Sequence, residues 1–260
     1  MVVGSSLSDP LSLCSRVKER DRLVPVLMVA DGETARLRGW EAGADEVLLL
    51  PLRRGQLVSR ARALLQRRKL YEGLVEAEKV LLALAEAVEA QDPYARGHTR
   101  KALAGALALG EKVGLSAGEM RELRLGAILH DVGKVGLDRA TLLKEGPLSP
   151  EERRKVKAHP VGGWRIARLL GQGAGDVVRH HHERWDGGGY PEGLKGNAIP
   201  LLARIMAIAD TFSALTAPRP YRPALTPQGA LRVLAAESGK QFDPELARLF
   251  QGLPSLREGI

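Results

Sequence analysis

RHHHERWDGGGYP, residues 179–191, decides how the rest of the chain is read. Half of the chain's six histidines stand here side by side, and imidazole is the commonest protein metal ligand. On a helix, neighbouring residues diverge by about 100° and rise about 1.5 Å, so two adjacent imidazoles can turn onto one ion about 2 Å away while the first and third point apart. Either His180 and His181 or His181 and His182 form the pair, and the local sequence leaves both open. Gly187, Gly188, Gly189 and Pro191 cannot continue a helix, since each glycine there costs about 1 kcal/mol and proline removes a backbone donor. A shaped loop carrying Tyr190 follows.

With 260 residues, 44% of them hydrophobic, the chain can bury a substantial core in one or two domains. It has no apolar run of about 18 residues and no charged start leading into an apolar segment, so a cytoplasmic protein without membrane insertion is expected. The single cysteine, Cys14, rules out an intrachain disulfide framework and a thiolate zinc site. Metal ligands must then be nitrogen and oxygen. The net charge of +8 divides as +1 over residues 1–90 and +7 beyond, which favours an anionic ligand for the C-terminal part. With 4% aromatic residues and no compact basic stripe, a stable nucleic-acid partner is not expected.

Near the N-terminus, residues 23–29, LVPVLMV, read as a buried parallel strand. Residues 33–42 read as a helix stopped by Gly43, and Val47 to Leu50 as a strand stopped by Pro51. Alternating strand and helix imply a small α/β unit. PVLMVA at 25–30, EAGADEVLLLP at 41–51 and a closing helix from about Gln56 resemble the last half of a response-regulator receiver domain, over roughly residues 1–68. Several receiver residues are replaced: Ala30 stands at the hydroxyl position and Leu50 at the lysine position, and only Gly4, Ser5 and Ser6 lie near the expected phosphoacceptor. Phosphorylation switching is not expected. The unit is either a relic used for packing or dimer contacts, or the native start lies upstream of Met1.

From Gln56 to Ala90 nearly every residue is a good helix former, apart from Gly73. Leu70, Leu74, Ala77, Leu81, Leu84 and Val88 follow heptad spacing over fewer than about three heptads. A parallel coiled-coil homodimer through residues 70–88 and an amphipathic linker helix packed on the next domain stand as equal readings.

Beyond Asp92-Pro93, His98 lies in an alanine- and leucine-rich stretch of helical pattern. Ser116 to Glu119 is a capping box opening a helix that runs into His130-Asp131-Val132-Gly133-Lys134. Gly133 is expected to close the turn and Lys134 to reach back. Asp131 has two oxygens and can bridge two ions, which at about 3.5–4 Å apart clamp the attacking and leaving oxygens of a phosphoryl group. Ser149-Pro150-Glu151-Glu152 caps a helix expected to carry His159-Pro160. IPLLARIMAIA, 199–209, is expected as a buried helix ending in Asp210, a carboxylate that is costly there unless paired or metal-bound.

Collected, His98, His130-Asp131, His159, His181-His182 and Asp210 resemble the HD superfamily of metal-dependent phosphohydrolases. HDVGK at 130–134, HHERWDGGGYPEGLKG at 181–196, IPLLARIMAIAD at 199–210 and ALTAPRPYRPAL at 214–225 narrow the resemblance to HD-GYP domains, over about residues 75–250. The fold class this implies is a two-domain α+β chain: a partial receiver-like domain at 1–55, a helical linker at 56–90 and an all-α HD-GYP domain at 91–260. The resemblance further implies a binuclear or trinuclear iron or manganese centre and hydrolysis of cyclic di-GMP to pGpG or GMP by metal-hydroxide attack in line on phosphorus. By the same resemblance His130, Asp131, His159, His181, His182 and Asp210 are ligands, with His98 a further one. Asp131 is the bridge and Lys134 contacts the scissile phosphate or metal-bound water. Arg219 and Arg222 are candidates to clamp phosphate or guanine edges, Tyr190 to stack on a base, and the GYP loop to meet a diguanylate cyclase partner.

Departures from the family pattern shape the expectation. Tyr94 stands where members with a third metal carry glutamate, so two metals are expected. Lys101, Ser213 and Pro218 replace an arginine, an aspartate and a commonly acidic residue, which predicts an altered pocket rim and slow turnover. Action on another nucleotide, or a non-catalytic module that binds nucleotide or a partner, are the competing readings.

Overall fold

The β-branched runs near the N-terminus pair as strands. β1 (Val2–Val3), β2 (Leu27–Ala30) and β3 (Glu46–Leu49) form a parallel sheet in that order, with Leu27 opposite Glu46 and Ala30 opposite Leu49. Parallel neighbours need crossovers, which α1 (Pro10–Arg20) and α2 (Glu33–Glu41) supply. Val3, Cys14, Val26, Met28, Ala30 and Val47 bury the small core between them. The computed structural model describes residues 1–4, 7–92, 97–144, 146–218 and 223–253. Ser5, Ser6, Tyr94, Arg219 and Arg222, all weighed above, lie outside these.

Asp45 pins this first unit, Met1–Glu78. Its carboxylate accepts the Val26 N–H at 2.8 Å and pairs with Lys18 at 2.5 Å and Arg67 at 2.9 Å. Burial works against its ionisation, yet the hydrogen bond from Lys18 prevails and holds the carboxyl below the usual range. The same carboxylate explains why β2 begins at Leu27 rather than at 23: Pro25 has no N–H to pair, and that of Val26 is taken.

α3 (Arg54–Glu89) is 36 residues long and runs from the first unit into the second, Lys79–Ile260. Gly73 does not interrupt it. Of the heptad positions, Leu70 (73% exposed), Leu74 (62%), Ala77 and Leu84 (58%) face solvent, whereas Leu81 and Val88 are half-buried. In the second unit Leu81, Leu82 and Ala85 pack against Ile128, Leu129, Ala167 and Val178. The C-terminal turns of α3 are therefore part of the helical core.

That core is built from α4 (His98–Val113), α5 (Ala117–Leu129), α6 (Arg139–Leu142), α7 (Pro150–Lys157), α8 (His159–Ala167), α9 (Gln172–His180), α10 (Leu201–Leu215), α11 (Pro227–Ala236) and α12 (Pro244–Gln251). Both capping boxes form, Ser116 with Glu119 and Ser149 with Glu152, the latter with Pro150 in the first turn. Small residues set the helix spacing. Ala102 and Ala106 of α4 are fully buried in the cluster that holds Ile205, Ile208 and Phe212 of α10. A Cβ on Gly126 of α5 would sit 2.5 Å from that of Val177 in α9, so only glycine permits this approach.

His159 and Asp210 sit differently from expectation, the first for a local reason and the second through a partner distant in the chain. α7 stops at Lys157 and His159 opens α8 instead of riding on α7. Pro160 lacks the N–H that would bond the Val156 carbonyl one turn back, and the His159 imidazole takes that carbonyl instead, at 2.7 Å. α10 does not end at Asp210 but continues to Leu215, because no breaker follows and Asp210 finds a partner across the helix pair. No helix of the described residues is long and apolar enough to cross a membrane.

Replacing Asp45 with alanine strips the Val26 N–H and Lys18 of their shared acceptor. The first unit should lose about 1–3 kcal/mol of stability, read as earlier proteolytic cleavage within residues 1–78 while the second unit stays resistant.

Candidate metal centre

Three histidines enter the centre by one device. His130 follows the last turn of α5, His159 that of α7 and His181 that of α9. Each directs Nδ1 at the carbonyl three residues back: Ala127 at 2.8 Å, Val156 at 2.7 Å and Val178 at 2.8 Å. Helix ends leave such carbonyls without intrahelical partners. With Nδ1–H donating there, Nε2 carries the lone pair and points away from the helix, as a metal ligand requires. His98, at the start of α4, is held from another side: its Nδ1 lies 2.9 Å from the Ser213 hydroxyl, which donates to the His98 carbonyl.

These Nε2 atoms converge on two carboxylates. Nε2 of His98 lies 2.9 Å from Asp210 Oδ1 and 3.3 Å from Nε2 of His130. On the other side, Nε2 of His159 lies 3.4 Å from that of His181. Asp131 stands between the sets, with Oδ1 3.3 Å from His159 and Oδ2 3.5 Å from His130. Among the described residues, His98, His130 and Asp131 form one group able to hold an ion, and His159, His181 and His182 another. A nitrogen and oxygen donor set, with a two-oxygen carboxylate facing both groups, fits a dinuclear metal centre.

All seven residues that the sequence nominated as ligands thus come together, and the triple histidine resolves. His180 turns outward, with Nδ1 on the Asp176 carbonyl at 3.0 Å and Nε2 on Glu192 at 3.2 Å. Lys134 does reach back, its Nζ 2.6 Å from Asp131 Oδ2. Gly133 serves differently from the turn expected of it: its φ is not positive, and a Cβ would meet the His159 carbonyl oxygen at 2.0 Å. Only hydrogen fits where the HDVGK segment presses on the start of α8.

Comparison with known proteins agrees with this geometry. An HD domain family model matches residues 82–246. The chain belongs to the HD domain family. It is 36% identical over 249 residues to the cyclic di-GMP phosphodiesterase response regulator RpfG of Xanthomonas campestris, an alignment covering 86% of this chain and 66% of that protein. It is 38% identical over 179 residues to a cyclic di-GMP phosphodiesterase of Thermotoga maritima, covering 66% of this chain and 48% of the relative. The chain therefore spans less than two thirds of the length of either. The crystal structure of a cyclic GMP-AMP specific phosphodiesterase of Vibrio cholerae shares the fold, with a TM-score of 0.55 and 22% identity over 68% of this chain and 48% of that one.

Electrostatics in the HD domain sorts the protonation states. Burial pushes His130 down, and burial together with His182 pushes His181 far down. His182 falls to about 4, mainly through burial. Burial opposes ionisation of Asp131, but Lys134 and His130 hold it well below the usual carboxylate range. For Asp210 burial again opposes and the His98 hydrogen bond prevails, while the same bond raises His98 against its own burial. Ionised carboxylates beside neutral His130, His181 and His182 match what metal binding requires.

The HD domain also holds residues that the sequence did not single out. Glu183, 3% exposed, accepts the N–H groups of Glu192 at 2.8 Å and Leu194 at 3.1 Å, and so fastens the GYP loop. Glu89 caps α4 by accepting from the N–H groups of His98 and Thr99. Ser213 is not on a pocket rim as expected. One turn beyond Asp210, it is fully buried against His98. Tyr190 lies on His182 with ring centroids 4.8 Å apart, and Pro218 is exposed. Helical spacing puts Asp210 and Ser213 on one face of α10; that this face meets His98, and the Glu183 and Glu89 contacts, depend on tertiary paths that no local pattern encodes.

Two outcomes test this centre. Imidazoles depressed on folding leave the unfolded chain as the stronger proton binder, so their contribution is full above the ordinary 6.5 and lost as pH falls to about 4 for His182. Melts of metal-free protein should fall over that interval, and a Tm rising on acidification would contradict buried neutral imidazoles. Removing the Ser213 hydroxyl (Ser213→Ala) frees the His98 ring and should weaken metal binding about 10- to 100-fold in competition titrations, without change in helix content; an unchanged affinity would leave the hydroxyl no orienting role.

Proposed function

We propose that the chain is a metal-dependent phosphodiesterase that hydrolyses cyclic di-GMP to pGpG or GMP. The observation that carries this reading is Asp131, whose two oxygens face separate histidine groups while Lys134 lies against one of them. The names of the two relatives support the substrate. Nitrogen and oxygen donors suit iron or manganese. On this reading His98, His130, Asp131 and Asp210 would hold one ion, and Asp131, His159, His181 and His182 the other. Bound ions supply Lewis acidity and an activated water for in-line displacement at phosphorus.

The chain's own residues do the rest. Lys134 shares its ammonium between Asp131 and a phosphoryl oxygen, which lowers the cost of the charge that develops there. Tyr190 offers the edge of its ring beside Lys157 to a guanine, and Arg219 and Arg222, by resemblance to the family, clamp a phosphate or guanine edge. No side-chain nucleophile is required, so no covalent enzyme intermediate forms.

The first unit reads as a degenerate receiver. Its parallel three-stranded order supports that, as does an alignment with a response regulator that extends over 86% of the chain. In this setting the protein would act in the cytoplasm, with the GYP loop open to a diguanylate cyclase partner; of the 70–88 seam, Leu70, Leu74, Ala77 and Leu84 are left for a second copy, since Leu81 packs on the chain's own core. Asp131→Ala should lose bound metal and reduce hydrolysis by more than the roughly 100-fold seen when outer partners of a metal site are removed. Anaerobic protein assayed on cyclic di-GMP, 3′3′-cyclic GMP-AMP and linear dinucleotides checks both substrate and variant. Full turnover by Asp131→Ala would sink the proposal.

A further inference from the structure

Outside the centre, α7 presents an unusual face. Pro150, Arg153, Arg154 and Lys157 recur at helical spacing and, with Leu148, line one open groove of about 320 Å³. Glu151 and Glu152 of the same helix pair elsewhere, with Lys155 and Lys144. Among the described residues, no carboxylate lies within ion-pairing distance of Arg153, Arg154 or Lys157. Three cations left together in this way favour an anion between them.

Lys157 links the groove to the surroundings of the centre. Lys157 Nζ lies 5.1 Å from the centroid of the Tyr190 ring, and Tyr190 lies on His182. α7 itself ends at the turn whose Val156 carbonyl orients His159. An anion on this face is thus one aromatic ring away from the metal-ligand cluster, close enough to belong to the same substrate molecule.

Cyclic dinucleotides carry two phosphodiesters of equal charge, and only one can be at the reacting position. We infer that the basic face of α7, Arg153, Arg154 and Lys157, is the subsite for the second, non-scissile phosphodiester, with the Leu148 and Pro150 wall taking part of the attached nucleoside. This rests on the phosphodiesterase reading of the centre. It makes α7 the element that selects a substrate with two phosphates over one with a single phosphodiester.

The test compares two substrates on the full chain loaded with metal: cyclic di-GMP, and bis(p-nitrophenyl) phosphate, which has one phosphodiester. Lys157→Gln should raise KM for cyclic di-GMP about tenfold, as loss of one charge-assisted contact does, with kcat little changed. The ratio of kcat/KM between the substrates should fall by the same factor, Lys157→Arg should restore most of it, and Arg154→Gln should act in the same direction. An active wild type whose ratio is unmoved by Lys157→Gln overturns the subsite alone. Where cyclic di-GMP binds without turnover, Kd replaces KM and an unchanged Kd overturns it equally. A wild type that neither binds nor hydrolyses cyclic di-GMP overturns the reading of the centre and the subsite with it.

Discussion

A hydrogen bond from an imidazole Nδ1 to the carbonyl three residues back, made at the ends of three helices, is the contact on which the centre depends. It settles two problems together. A buried carbonyl at a helix end finds a donor, and a histidine is fixed in the tautomer and direction that leave Nε2 facing inward. The packing of α4, α5, α8, α9 and α10 then has only to bring those helix ends together, which alanines and glycines at the crossings allow. Gly126 against Val177 and Gly133 against the His159 carbonyl are two approaches that a Cβ would block.

Charge is balanced inside the same space. Two ionised carboxylates in a buried pocket would repel each other and suffer from lost hydration. Asp131 is compensated by Lys134 and Asp210 by His98, so each acid has a cationic or donating neighbour before any metal is considered. The first unit solves a smaller version of the problem with Asp45, which two basic side chains and a backbone N–H share. In both places one carboxylate joins segments that are distant along the chain.

Much of this was legible in the sequence, and the limits of that reading are physical. The ligand types, the HDVGK segment and both capping boxes are local patterns, and local chemistry determines them. The choice between His180 and His182 comes from the family resemblance and not from local spacing; its physical cause is that Glu192 holds His180 away from the centre once residues 183–194 have folded back. The break before His159 could have been seen in Pro160 alone, whereas the continuation of α10 past Asp210 depends on a partner in α4. Ser213 reaches His98 only because α10 continues past Asp210, where the sequence predicts its end.

Ligands held by helix-end carbonyls also constrain how the chain can change in length. Inserting or deleting one residue in the last turn of α5, α7 or α9 would rotate the following histidine by about 100° and shift it by about 1.5 Å along the axis. The imidazole would then lose its carbonyl and its aim in one event, however well the hydrophobic core repacked. Gly126 aside, substitutions within these turns can be absorbed; changes of register cannot. Length variation among proteins built this way should therefore collect in the connecting segments, such as that between α6 and α7, and avoid the turns that precede His130, His159 and His181.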